Sequence, residues 1–217
     1  MPTNAALSPW EGIWIVTSYL LGCFTAGYYW TLWRTGQDIR TLGSGNVGAR
    51  NVSRTVGLTG FAFTLFLDLG KGALVALGAR ALGLSEVAAV AALVAVAIGH
   101  TWPVQLRFQG GKGLAVSFGA LLGYDPFLVL CQIAVFVPMI ALLRNFTLSG
   151  MLAFALGPLL AFLLGADKDG VAAMSLLAIL VLLTHRKNIR EALTRLAQPR
   201  SQKEALVELP KGSPDEV

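Results

Sequence analysis

Long apolar runs alternate with short polar ones along nearly the whole chain, and the polar runs are rich in glycine, Lys and Arg. A helix needs about 20 residues to cross a hydrocarbon core of about 30 Å. By that measure the apolar runs fall into seven segments, approximately 11–33, 56–78, 84–104, 113–124, 126–143, 148–165 and 170–184. The pattern predicts an all-α polytopic membrane protein with seven transmembrane helices. The fourth segment is short. A helix over 113–124 rises only about 18 Å, which predicts that it is tilted, starts deep in the membrane or is re-entrant.

The distribution of cations orients the bundle. An N-terminus outside puts Arg34, Arg40, Arg50, Arg54, Arg107, Lys112, Arg144 and the basic start of the tail on the cytoplasmic face, and leaves Arg80 and Lys168 outside. Seven crossings then bring the C-terminus to the cytoplasm. The first segment follows an uncharged start with no cleavage site before Arg34, so it is expected to be a retained helix. The domain reading is one membrane domain over 1–191 and a cytoplasmic tail over 192–217.

Composition agrees. Of 217 residues, 55% are hydrophobic and 13% charged, against about 25% charged in soluble domains, and the mean hydropathy is +0.65. The net charge of +5 sits in short loops between apolar runs, which argues for orientation in a bilayer and against nucleic acid. Cys23 and Cys131 lie inside apolar runs without basic neighbours and read as small hydrophobes. With no metal-ligand cluster, neither metal nor cofactor is expected.

The candidate chemistry lies in the polar runs. The run GSGNVGARNVSR, residues 43–54, combines glycines that leave main-chain amides unshielded with donors at Ser44, Asn46 and Asn51 and charge at Arg50 and Arg54. Such a run suits a phosphate cradle at a membrane surface. Its glycine spacing matches the dinucleotide fingerprint, but neither a preceding strand nor a βαβ unit accompanies it. A second run, GHTWPVQLRFQGGKG at 99–113, falls on the same face; Gly110, Gly111 and Gly113 around Lys112 are expected to let amides and an ammonium approach a phosphate ahead of a helix N-terminus. It is not a Walker A loop, because Gly113 stands where that motif needs Ser or Thr. The third patch is RNFTLSG at 144–150, where Thr147 and Ser149 can cap the sixth segment. The fourth is HRKNIRE at 185–191. Asp68 and Lys71, three residues apart inside the second segment, share a helix face; they are either a mutually neutralising pair or in contact with a polar substrate.

The ordered set of GSGNVGARNVSR, DLGKG at 68–72, GHTWP with FQGGKG, RNFTLS and HRKNI resembles the bacterial acyl-phosphate:glycerol-3-phosphate acyltransferases, membrane enzymes of phospholipid synthesis. The resemblance covers the chain up to Glu191. It implies seven membrane helices, conserved loops facing the cytoplasm of a bacterial cell (inner) membrane, and transfer of a fatty acyl group from acyl phosphate to glycerol 3-phosphate. Ser44, Gly45, Asn46, Arg54, Lys112 and Ser149 match the phosphate-binding positions, Gly111 lies beside them, and Arg144 matches a supporting cation. His185 and Asn188 match contacts to the glycerol moiety, which with Lys112 and Arg54 make up the expected catalytic set. His100 matches the histidine of the family's GH-x-x-P motif and is either a structural hydrogen-bonding residue or a catalytic one, as Asp68 and Lys71 also are. The implied partners are acyl phosphate, glycerol 3-phosphate and membrane lipid, with a monomer assumed.

The chain departs from the family at three positions: Arg50 replaces the threonine of GATN, Val116 replaces a threonine after GGKG, and Thr147 stands in the R-x-x-S position. Acyl phosphate carries a good leaving group, so alignment of the acceptor hydroxyl and stabilisation of phosphate charge suffice without a protein nucleophile. The hydroxyl proton goes to a substrate phosphate oxygen or to His185. A thioester-dependent acyltransferase with His and Asp five residues apart is excluded, since Gln105 and Arg190 stand five after His100 and His185. Two alternatives remain: a divergent relative with another acceptor, and a small anion transporter.

Overall fold

The computed structural model describes residues 7–190, and among them it contains helices and no strand. The chain divides into two units, Met1–Thr184 and His185–Val217. In the second, residues 185–190 are described; there Ile189 N donates to His185 O at 3.0 Å, one helical turn. The first unit contains α1 (Pro9–Cys23), α2 (Ala26–Thr35), α3 (Ala49–Val56), α4 (Leu58–Ala81), α5 (Glu86–Thr101), α6 (Leu114–Tyr124), α7 (Pro126–Leu143), α8 (Phe146–Leu163) and α9 (Lys168–Thr184). Among the described residues, four stretches are long and apolar enough to cross a membrane: Leu58–Ala81, Glu86–Leu106, Pro126–Leu143 and Phe146–Leu163.

Local chemistry sets the helix starts. Ser8 and Glu11 form a reciprocal capping box with Pro9 at the first helical position of α1. Asp125 caps α7 with Pro126 following it, and Asn145 caps α8 by accepting from Leu148 N at 3.1 Å. This corrects the expectation for the third patch: Asn145 is the cap, ahead of both Thr147 and Ser149.

The first apolar segment, expected as one helix over 11–33, is two helices. It breaks after Cys23 and resumes at Ala26. A break in an apolar bundle leaves carbonyls without helical donors, and here side chains from other elements replace them. Lys71 Nζ donates to Gly22 O at 3.3 Å and to Phe24 O at 2.8 Å, while Gln105 Nε2 donates to the Cys23 carbonyl. A short helix, α3, stands where the polar run 43–54 was read as a loop; Gly57, at φ 88°, separates it from α4.

Small residues set the packing. The carbonyl of Val96 in α5 comes so near Gly22 in α1 that a Cβ there would lie 2.2 Å from it. In α4 and α6, a Cβ at Gly72 would meet Val116 O at 2.2 Å, one at Gly119 would meet Leu69 O at 2.0 Å and one at Gly123 would meet Ala73 O at 2.7 Å. Together with the Arg80 bond to Tyr124 O at 3.3 Å, these contacts show α4 and α6 running parallel. The register puts the start of α6 roughly two turns inside the beginning of α4. Thus the N-terminus of the short fourth segment is overhung by the first turns of α4. A second, smaller core of Ile39, Val47, Val52 and Leu106 lies beneath the glycine loop.

The seam predicts its own sensitivity. Gly119→Ala should lower the thermal midpoint in detergent by several degrees, an overpacking cost of about 1–3 kcal/mol, because the obstructing atom is backbone. Gly70→Ala, where a Cβ meets nothing within 4 Å, should leave the midpoint unchanged or higher. Equal midpoints for the two variants would refute the close α4–α6 seam.

Candidate active site

A charge cluster buried between α4 and α5 anchors the loops. Lys71 Nζ lies 2.9 Å from Asp68 Oδ1 and 2.9 Å from His100 Nδ1, and the three side chains are 8%, 2% and 3% exposed. An ammonium has three protons and only donates. Its surroundings are all acceptors: the Asp68 carboxylate, the carbonyls of Gly22 and Phe24, and the imidazole. Nδ1 of His100 therefore serves as acceptor and its ring proton belongs on Nε2. That Nε2 faces Gly111, where a Cβ would stand 2.0 Å from it.

This arrangement explains the second glycine run differently from the sequence reading. Gly111 N donates to His100 O and Gly110 N to Thr101 O, both at 3.0 Å. These two amides are therefore committed to the protein and do not point at a ligand. Glycine is required there because the loop lies directly on the imidazole ring and the carbonyls of α5. Gly113, at φ 82°, begins α6, and the carbonyl of Lys112 accepts from Thr184 Oγ1 of α9 at 2.8 Å. Val116 is fully buried with its carbonyl against Gly72, so its departure from threonine is accommodated as packing in the α4–α6 seam.

The first glycine run is a turn held from below. Gly43 and Gly45 adopt φ of 56° and 71°, conformations that a Cβ disfavours. Asn51, 3% exposed, accepts from Ser44 N at 2.8 Å and donates to Leu42 O at 2.9 Å. Asn51 was expected to offer a donor to a ligand; both ends of its amide are spent on the turn. Ser44 is exposed, Gly45 and Asn46 are half-buried, and Arg54 is exposed on α3, with no hydrogen bond or ion pair to a described residue. Arg40, expected only as a topological cation, forks onto Asp38 at 2.6 Å, donates to Leu106 O at 2.9 Å and lies 5.4 Å from the Tyr28 ring centroid. The Arg40 guanidinium holds the Asp38 carboxyl below its ordinary range. The bond to Leu106 joins the stretch leading into the first polar run to the second run.

The third patch meets the other two. A Cβ at Gly150 would lie 3.1 Å from Leu114 at the start of α6, and Arg50 of α3 donates to Thr147 Oγ1 of α8. Ser149 is fully buried and its hydroxyl donates to Asn145 O at 2.9 Å, so its oxygen is left as an acceptor. Arg144 is exposed and ends α7 in a left-handed conformation, φ 47°. His185 and Asn188 belong to the second unit. The second and third polar runs thus meet at the start of α6, and the first is tied to the third through Arg50.

Sequence reasoning missed Arg40, Asn51 and Gln105 as organising residues. The available signal was composition alone: a polar side chain able to donate more than one hydrogen bond, in a short loop between apolar runs.

A helical, integral-membrane architecture with cationic, glycine-rich loops around one short helix defines the class, and comparison places the chain within it. The model of the glycerol-3-phosphate acyltransferase family matches residues 12–195. Glycerol-3-phosphate acyltransferase 1 of Desulfitobacterium hafniense is 42% identical over 187 residues, 86% of this chain and 92% of the relative. A glycerol-3-phosphate acyltransferase of Thermus thermophilus is 40% identical over 181 residues, 82% of this chain and 89% of its own. Two crystal structures of PlsY (YgiH), an integral membrane glycerol 3-phosphate acyltransferase, share the fold. The glycerol 3-phosphate form has a TM-score of 0.78 at 29% identity, covering 90% of this chain and 98% of that one. The lysophosphatidic acid form has 0.75 at 28%, covering 85% and 92%. The chain belongs to the glycerol-3-phosphate acyltransferase family.

The buried pair makes a prediction of its own. Lys71→Met should destabilise the folded protein by about 3–5 kcal/mol, because it leaves Asp68 charged and unpaired in an apolar interior. The double variant Asp68→Asn/Lys71→Met should recover part of that loss, read as the unfolding midpoint in detergent. If the double variant were as unstable as the sum of the single ones, the two residues would not act as a pair.

Proposed function

We propose that the chain transfers an acyl group from acyl phosphate to glycerol 3-phosphate, forming 1-acylglycerol 3-phosphate (lysophosphatidic acid) and inorganic phosphate for phospholipid synthesis. The observation that carries this reading is the family match across residues 12–195. The cationic loops support it, since two phosphate-bearing substrates call for charge and amides at one site. In the reaction the glycerol hydroxyl oxygen bonds to the acyl carbonyl carbon, the bond from that carbon to the phosphate oxygen breaks, and the proton passes to a substrate phosphate oxygen. Arg54, Lys112 and Arg144 supply positive charge, and Ser44, Gly45 and Asn46 supply the turn. Gly111 contributes by its smallness against His100. His100, Asp68 and Lys71 act as a positioning network rather than by touching substrate. Ser149 offers an acceptor oxygen, and His185 with Asn188 contacts the glycerol moiety.

We also propose seven crossings, with α1 and α2 together forming the first, α3 lying at the surface, and α4 to α9 forming the rest. The N-terminus is outside, the C-terminus inside, and the site faces the cytoplasm of the cell membrane. The positive-inside distribution supports this reading, as do the parallel courses of α4 and α6, which an intervening antiparallel crossing requires. The domain reading remains a membrane domain over 1–191 and a tail over 192–217, with a monomer as the working unit.

The purified protein should consume acyl phosphate with glycerol 3-phosphate and release inorganic phosphate, with little turnover on acyl-CoA or acyl carrier protein. Arg54→Ala and Lys112→Ala should each lower kcat/KM by about 10-fold to 150-fold, the loss of one charge-assisted contact, while Arg107→Ala stays near the parent. Thioester-dependent acylation without phosphate release would overturn the donor assignment. Topology is tested by single cysteines in a Cys-free background: an impermeant reagent should label a cysteine at Asp169 but not at Gln202 in intact cells, and the opposite pattern would reverse the orientation.

A further inference from the structure

Arg50 runs against two local preferences. It is a cation in the first turn of α3, where the helix dipole favours anions. It stands one turn before Arg54 on the same helix face, and like charges at that spacing repel. Its hydrogen-bond partner is a neutral hydroxyl, Thr147 of α8, and no carboxylate among the described residues neutralises it. Arg50 is exposed, and a phosphate dianion bound beside it would offset both the repulsion from Arg54 and the dipole.

The contact also joins two elements with different packing partners. α3 packs on α2 and α4, whereas α8 packs on α7 and α9. The start of α6 lies beside α8, where a Cβ at Gly150 would stand 3.1 Å from Leu114. The bond from Arg50 to Thr147 therefore ties α3 to the first turn of α8, close to the N-terminus of α6. It occupies one N–H of a guanidinium that carries five, so the remaining donors can take phosphate oxygens while the hydroxyl fixes the fork.

We propose that Arg50, held by Thr147 of α8, is a specificity-determining cation of the substrate site that binds the phosphate dianion of one of the two substrates. This rests on the acyltransferase reading above and adds to it a residue by which this chain's substrate affinity differs from that of relatives with threonine at position 50. A dianion between Arg50 and Arg54 removes their repulsion, and the Thr147 hydroxyl restricts the rotamers of a long side chain before the ligand arrives.

The test measures kcat and both KM values, for acyl phosphate and for glycerol 3-phosphate, in the parent and in Arg50→Ala, Arg50→Lys, Thr147→Val and Arg50→Ala/Thr147→Val proteins. Arg50→Ala should raise one of the two KM values about 10-fold or more, the loss of a charged contact, with a smaller change in kcat. Thr147→Val should raise the same KM a few-fold, and the double variant should be no worse than Arg50→Ala alone. Arg50→Lys should fall between, because charge remains and the fork is lost. Whichever KM rises names the source of the phosphate. The proposal is overturned if Arg50→Ala leaves both KM values within about twofold of the parent while melting like it, or if kcat alone falls, as for a structural strut. A parent inactive with every donor would remove the acyltransferase reading instead. Calorimetric binding of glycerol 3-phosphate and of inorganic phosphate to the parent and Arg50→Ala would then decide on Arg50, equal affinities for both probes counting against it.

Discussion

A single ammonium group coordinates much of this fold. Lys71 lies inside an apolar helix, where an unpaired charge is costly, and four acceptors from three directions surround it: Asp68 on its own helix, His100 on α5, and the carbonyls of Gly22 and Phe24 at the break between α1 and α2. Each partner needs the others. Without the lysine, the broken helix would leave main-chain acceptors unsatisfied in an apolar bundle, and the carboxylate would be buried alone. Without the break, the ammonium would lose two of its acceptors. The same cluster orients His100, whose ring and carbonyl then seat the Gly110–Gly111 turn that leads into Lys112 and α6.

A division of labour follows among the polar residues of the loops. Asn51, Arg40 and Gln105 spend their hydrogen bonds on carbonyls and on a turn amide, which makes the loops rigid. Arg54, Arg50 and Arg144 are exposed and carry charge at the surface of that rigid frame. A frame of this kind suits the proposed acyl transfer, where chemistry asks for alignment and charge stabilisation more than for a nucleophile. The close helix seams contribute to the same end: with glycine at 72, 119 and 123, α6 lies directly on the backbone of α4.

Membrane character, the sites of most helices and the identity of the candidate cations were legible in the chain. Apolar runs of membrane length can bury themselves only as helices, and caps such as Pro126 after Asp125 are local chemistry. The family was legible too, because ordered motifs are a property of sequence. The break at Phe24 and Thr25 was not. The run there is long enough to read as one helix, and the partner that satisfies the freed carbonyl of Phe24 is a lysine 47 residues away.

Glycine shows the same boundary within the site. The composition of GGKG suggested amides presented to a phosphate, since a glycine leaves its amide accessible wherever it lies. Tertiary structure decided otherwise: the amides of Gly110 and Gly111 face the carbonyls of Thr101 and His100, and the missing side chains make room for an imidazole. Likewise, sequence alone identified Arg50 as an added cation, but only the folded chain brings it to Thr147, 97 residues away. The sequence by itself determined which segments must be helical and which residues carry charge, because both depend on composition and short-range pattern. Which amides and cations remain available to a ligand depends on hydrogen bonds between distant residues, and those exist only after the helices have packed.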